Sequence, residues 1–244
     1  MFIDVCFSPA LYPKYHRAES VVIIVDIFRA TSTIIAAFEN GARSIRPIAT
    51  TEETEAYKAK GYLVGAERNC CRCDFADFGN SPFDYRPELV KGKDIVFTTT
   101  NGTKAIHYAK SAYRIITGAF VNLQAVADHC IRENRDVVVL CAGWEDKINI
   151  EDTLFGGALV EILQQHGFQP AGDASLIALA LWQQAKVNLS DYIQQTEHYG
   201  RLSANELEDN VPYCLTLNLS DLVPVYLKEE NVLRIRDSQI GGQD

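Results

Sequence analysis

Between Val21 and Thr33 the chain reads VVIIVDIFRATST, and this stretch limits what the rest can fold into. Its five consecutive β-branched apolar residues, Val21 to Val25, are too few for a long helix and favour a central strand. Asp26 falls where such a strand leaves its sheet, and Arg29 falls in the turn that follows. Thr31, Ser32 and Thr33 then stand where hydroxyls cap a helix, predicted over 34–39 and stopped at Asn40-Gly41. A carboxylate at a strand end is a candidate Mg²⁺ ligand, and the free N–H groups of a helix start attract anions. An ordinary capped helix with one surface ion pair is the other reading of the same residues.

The pattern recurs. Three times a buried strand ends in polar or small residues and turns into a helix: at Asp26, at Thr98–Thr103 and at Cys141–Gly143. Further strands are expected over 2–7, 44–49, 62–64 and 113–117, with a closing pair over 222–227 and 232–235. Helices are expected over 52–60, 104–109, 120–131, 151–166 and 173–187, and 191–210 reads as polar and helical with breaks. The expectation is an α/β fold: a mixed or largely parallel sheet with helices on both faces, in α/β/α layers, and ligands at the carboxyl ends of the strands. A chain of 244 residues suits one catalytic domain over 1–237, with lobes about 1–118 and 119–237 as pseudo-domains, and a flexible tail over 238–244.

A hydrophobic share of 47% with 23% charged residues is that of a globular protein in water. There is no run of about 20 apolar residues to span a membrane, and no basic segment before an apolar core to mark a secretory signal. These features point to the cytoplasm. The net charge of -9 argues against nucleic acid and anionic membranes as partners. A small anionic substrate would need local cations or a metal. Seven cysteines, an odd number, do not suggest a disulfide framework; Cys70, Cys71 and Cys73 lack the second pair that zinc would want.

Familiar catalytic signatures are absent: no phosphate-binding G-x-x-x-x-G-K-[ST], no G-x-G-x-x-G after a strand, no H-E-x-x-H and no G-x-S-x-G. Cys141 follows a strand as in cysteine phosphatases, but Lys147 stands where their arginine would, and Glu145 and Asp146 would repel phosphate. Asp26-Ile27-Phe28 likewise lacks the second acid of an aspartyl-phosphate motif. What remains is a constellation. Asp26, Glu67, Asp77, Glu151 and Asp152 offer hard oxygen ligands of the kind Mg²⁺ takes, and Arg29, Arg68, Asn80, Ser81 and the Thr98–Thr103 turn offer donors. Adjacent acids at a helix start, such as Glu151 and Asp152, are equally read as complements to the helix dipole. His107, His129 and His166 read as surface or packing residues.

Four segments in order, VDIFRATST (25–33), GAERNCCRCDFADFGNSP (65–82), TTTNGT (98–103) and CAGWEDKINIEDTLFGG (141–157), resemble the 2-phosphosulfolactate phosphatase family, the ComB family of coenzyme M biosynthesis. The resemblance implies a ComB-like α/β fold and Mg²⁺-dependent hydrolysis of 2-phospho-3-sulfolactate to 3-sulfolactate and phosphate. It also implies a homodimer. The resemblance implies the members of the site apart from Arg68, and the roles are our own inference: Asp26, Arg29, Asp77 and Cys141 carry the chemistry. Ser32, Thr33, Arg68, Asn80, Ser81, Thr100, Asn101, Gly102, Thr103 and Gly143 bind substrate. Asp26, Glu67, Asp77, Glu151 and Asp152 supply the metal ligands. Asp77 would orient water or protonate the leaving group, and Arg68 would take the substrate's carboxylate or sulfonate. Where the family pattern has G-F-D before x-G-N-S-P, this chain has Phe75-Ala76-Asp77, after a cysteine-rich run. Two other functions use the same residues: a Mg²⁺-dependent lyase or isomerase acting on a phosphorylated acid, and a sensor that holds such a metabolite without turnover.

Overall fold

The computed structural model describes residues 1–236, so the tail expected over 238–244 lies outside the described residues. Among the described residues eleven strands form one mixed sheet: β1 (Phe2–Cys6), β2 (Val21–Val25), β3 (Ser44–Pro47), β4 (Leu63–Arg68), β5 (Cys71–Arg72), β6 (Asp94–Thr98), β7 (Arg114–Gly118), β8 (Val137–Cys141), β9 (Gln169–Pro170), β10 (Val225–Leu227) and β11 (Val232–Arg234). Their order across the sheet is β5-β4-β6-β3-β11-β10-β7-β2-β8-β1-β9.

The apolar run of β2 is explained by burial on both faces. Val21, Ile23 and Val25 enter one core, with residues of the helices Leu123–Glu133, Ile150–Gln164 and Asp173–Ala185. Val22 and Ile24 enter a second core on the opposite face, with the helices Ala30–Glu39 and Gly102–Tyr108. A strand covered on both sides has no polar face to alternate with. On one side β2 pairs in parallel with β7, from Val21↔Arg114 to Val25↔Gly118; on the other it pairs in parallel with β8, from Val21↔Val137 to Val25↔Cys141. The strand ends at Asp26, Ala119 and Ala142 therefore open on the same edge.

Two parallel blocks, β4-β6-β3 and β7-β2-β8-β1-β9, are joined by the hairpin of β10 and β11. This hairpin is the closing strand pair expected from the sequence. It runs antiparallel to β7 on one side and to β3 on the other. The blocks do not follow the halves 1–118 and 119–237: β1, β2 and β7 sit with β8 and β9. Three antiparallel junctions set the blocks in opposite senses. The turn after β6 meets the turn after β2. A Cβ built on Gly102 would lie 2.9 Å from the Ala30 Cβ and 3.0 Å from Asp26 Oδ2. No helix among the described residues is long and apolar enough to cross a membrane.

Candidate active site

Asp26 ends β2 and organises the turn after it. Its Oδ1 accepts from Ala30 N at 3.3 Å, and its carbonyl accepts from Thr31 N at 3.0 Å and from Thr31 Oγ1 at 2.9 Å. With Asp26 satisfying the first amides, the helix begins at Ala30 rather than at 34. The three hydroxyls then lie inside its first turn and fasten the backbone around them. Ser32 Oγ donates to Ile27 O at 2.9 Å, and Thr33 Oγ1 donates to Asn80 O at 3.1 Å. Ser32 and Thr33 are fully buried, and these bonds take up their donors, so they shape the site from behind rather than facing a substrate.

In front of that turn, Asp26, Arg29, Glu67, Asn80, Thr99, Thr100 and Asn101 line a narrow crevice with Phe28, Cys70, Trp144, His198 and Leu202, enclosing about 20 Å³. Glu67 lies within β4, which runs on to Arg68 instead of stopping at Val64. Its carboxylate ties two loops together, accepting from Cys70 N at 2.6 Å through Oε1 and from Thr100 N at 3.4 Å through Oε2. Gly102 is required at the junction because a side chain there would press on Asp26 and Ala30.

Two features mark the crevice as a ligand site. Arg29 is only 3% exposed and makes no ion pair with any described residue; its Nη2 donates to Cys70 O at 3.4 Å. A buried guanidinium without a counter-charge is costly unless an anion arrives to meet it. Asn80 Oδ1 and Thr99 Oγ1 on its walls are also buried and lack hydrogen-bond partners, as does Glu151 Oε2 in the neighbouring hollow, whereas buried polar atoms are normally satisfied.

Carboxylates crowd the back wall. Burial pushes Asp26 up to about 6, with the charges of Glu67 and Glu151 adding to the effect and His198 opposing it. Asp152 is pushed well above the usual carboxylate range by burial, then by Glu151 and Asp26. Its Oδ1 accepts from Ile27 N at 2.9 Å and its Oδ2 from Gly143 N at 3.1 Å, so it bolts the exits of β2 and β8 together. Glu151 is fully buried, and its Oε1 meets His198 Nδ1 at 2.5 Å. The His198 ring stands edge-on to Phe28 at 5.6 Å and tilted to Trp144 at 6.0 Å, centroid to centroid.

Several expected members stand elsewhere. Asp77 is absent from the crevice lining; it pairs with Lys58 Nζ at 2.5 Å and accepts from Val64 N at 2.9 Å, which anchors the loop to β4. Arg68 donates to Glu67 O at 2.6 Å and to Thr98 Oγ1 at 2.9 Å. Ser81 Oγ donates to Asn210 Oδ1 at 2.6 Å and accepts from Phe83 N. Thr103 Oγ1 donates to Thr99 O at 3.2 Å and lines a separate hollow. Cys141 is wholly inside the core, where burial holds its thiol well above the ordinary range, so it is unsuited to act as a thiolate. Gly143 takes φ +61° and packs its Cα against Lys147 O. Sequence reasoning missed His198. Its one local signal is the i,i+4 spacing with Leu202, which puts both on the buried face of the helix Glu197–Ala204.

Among the described residues no three His, Cys, Asp or Glu side chains form a ready-made metal cage. The donor chemistry nevertheless fits a hard cation. Asp26 is desolvated among other acids, Glu151 keeps one buried oxygen without a partner, and Glu67 lies beside them. Of the other acids expected to hold metal, Asp77 pairs with Lys58, and backbone amides donate to both oxygens of Asp152.

The model of a family described as "2-phosphosulpholactate phosphatase" matches residues 6–229. A protein of Caldanaerobacter subterraneus subsp. tengcongensis, named "Probable 2-phosphosulfolactate phosphatase", is 36% identical over 84% of this chain and 87% of its own length. Proteins of the same name from Thermotoga petrophila and Clostridium novyi are 34% and 31% identical, over 95% and 93% of this chain and 98% and 97% of their own lengths.

Proposed function

The chain belongs to the 2-phosphosulpholactate phosphatase family, whose members are named as phosphoric monoester hydrolases, and from that premise we propose that its crevice hydrolyses the phosphate ester of an α-hydroxy acid, 2-phospho-3-sulfolactate by family likeness. The observation that carries the reading is Arg29: a guanidinium buried in the crevice that Asp26 lines, which makes no ion pair with any described residue. A phosphoryl group supplies the missing anion and suits the planar fork of Arg.

Arg29 would grip the phosphoryl oxygens and stabilise the charge spread over them as the bond to the leaving oxygen stretches. The partnerless Asn80 and Thr99 side chains, with Asn101, lie along the same walls and would fix its orientation. Asp26, with Glu151 and Glu67, would hold a Mg²⁺ ion, whose chemistry when bound is to neutralise phosphoryl charge. With Nδ1 of His198 committed to Glu151, the other ring nitrogen, Nε2, is the one left to serve the crevice. It would give its proton to the leaving alkoxide as the P–O bond breaks and regain one from the water whose oxygen joins phosphorus. Protonating the leaving group is one of the two duties the sequence suggested for Asp77, the other being to orient water. The ring packing of Phe28 and Trp144 around His198 holds it in place and excludes bulk water.

The test is phosphate release from a panel of phosphorylated α-hydroxy acids, with Mg²⁺ and after chelation. Release with Mg²⁺, reduced at least about 100-fold by chelator, is the expected result. No release from any member would overturn the phosphatase reading, and release indifferent to chelator would remove the metal from it.

A further inference from the structure

A phosphorylated sulfolactate carries a sulfonate and a carboxylate besides its phosphate, and Arg29 can meet only one anion. Arg68, the cation expected for another, is occupied by Glu67 O and Thr98 Oγ1. A second hollow of about 40 Å³ adjoins the crevice, sharing Trp144 and His198 as a common wall. Its other sides include Lys147 and Arg201.

Arg201 is set up for recognition. Its guanidinium carbon lies 4.5 Å from the centroid of the Trp144 ring, and its Nε is buried without a hydrogen-bond partner. Stacking on an aromatic face orients the fork and leaves its edge for an anion. Its present partner is Glu197 Oε1, at 2.7 Å, on a side chain 78% exposed. Such an i,i+4 surface pair is weak and easily displaced. Lys147 makes no ion pair with any described residue. It is brought back beside Trp144 by paired backbone bonds, Trp144 N to Lys147 O at 3.1 Å and Lys147 N to Trp144 O at 2.8 Å. Gly143 makes this turn possible, since a Cβ there would sit 2.3 Å from Lys147 O. Of the acids that line the hollow, Glu151 gives Oε1 to His198, and Glu197, on a side chain 78% exposed, is free to turn into solvent when an anion takes its place on Arg201.

Resting on the phosphatase reading above, we propose that Arg201 and Lys147 form the subsite for the anionic group on the substrate's third carbon, a sulfonate or a carboxylate, with Trp144 and His198 spacing it from the phosphoryl group. The enzyme then selects phosphorylated acids with an anion at the third carbon over those that lack one.

Steady-state kinetics test this on 2-phospho-3-sulfolactate, 2-phosphomalate and 2-phospholactate, with wild type, Arg201→Gln and Lys147→Gln. Wild type should prefer one or both substrates that carry the third-carbon anion by at least about 10-fold in kcat/KM, and the preferred one identifies the anion. Each variant should raise KM for that substrate about 10- to 100-fold with kcat within about 3-fold, so that the preference collapses. Equal losses on all three substrates, or a wild type without preference, would overturn the proposal. Should Arg201→Gln not fold, as judged by circular dichroism, Lys147→Gln carries the comparison. If wild type hydrolyses none of the three, the phosphatase reading fails instead. Calorimetric titration with 3-sulfolactate then still reads the subsite: weaker binding in the variants supports it, and wild-type affinity in both overturns it.

Discussion

Asp26 and Arg29 are three residues apart and both buried, yet no ion pair joins them. Each is left with a desolvated charge that a bound phosphoryl group and a cation would answer. The burden on Asp26 has a measurable sign. Its carboxyl is raised to about 6 by burial, so between about pH 4 and pH 6 the folded protein keeps a proton that the unfolded chain has released. Stability should fall as pH rises through that window, and above it the penalty is complete. Asp26→Asn should therefore unfold later than wild type at pH 8 in chelator, by about 2–3 kcal/mol in urea titrations, with no such advantage at pH 4. Equal or lower stability of the variant at pH 8 would show that the acid is not strained. At this scale the sequence was a fair guide to residues placed by a strand end, such as Asp26, or by the turn just after it, such as Arg29. It was a poor guide to Asp77 and Arg68, whose partners Lys58 and Thr98 come from other elements, and to His198, which reaches the crevice from a late helix with little local pattern.

Among the elements, the strand periodicity was legible because β2 and β8 are covered on both faces and carry uninterrupted apolar runs. Helix starts were less so. Hydroxyls at 31–33 look like caps, but the capping is done by Asp26 from five to seven residues before them. The helix Ile150–Gln164, which carries Glu151 and Asp152, is fixed by its packing on the helix Asp173–Ala185. A Cβ on Gly157 would meet Ala178 O at 2.0 Å and the Trp182 Cβ at 2.7 Å. Alanine gains about 1 kcal/mol of helix propensity over glycine, but overpacking at a backbone contact costs about 1–3 kcal/mol and more where nothing can yield. Gly157→Ala should thus lower the melting temperature and, by moving Glu151 and Asp152, reduce turnover. A variant that melts higher than wild type would mean the two helices are not in such close contact.

Across the whole molecule, the layer architecture follows from alternating strands and helices, and the sequence conveyed it together with the closing hairpin. What could not be read was where that hairpin goes. β10 and β11 insert between β7 and β3, joining two parallel blocks into one sheet, and the turn after β6 meets the turn after β2. Pairings between residues over a hundred positions apart leave no trace in local periodicity. This long-range closure creates the crevice, and it also leaves Asp77 on the β4 side, outside it. The most direct test is the rate of phosphate release by Asp26→Asn and Asp77→Asn, each corrected for the folded fraction. Turnover should fall at least about 100-fold in Asp26→Asn and stay within about 3-fold of wild type in Asp77→Asn; a folded Asp77→Asn protein that is inactive, beside an active Asp26→Asn, would contradict the site described.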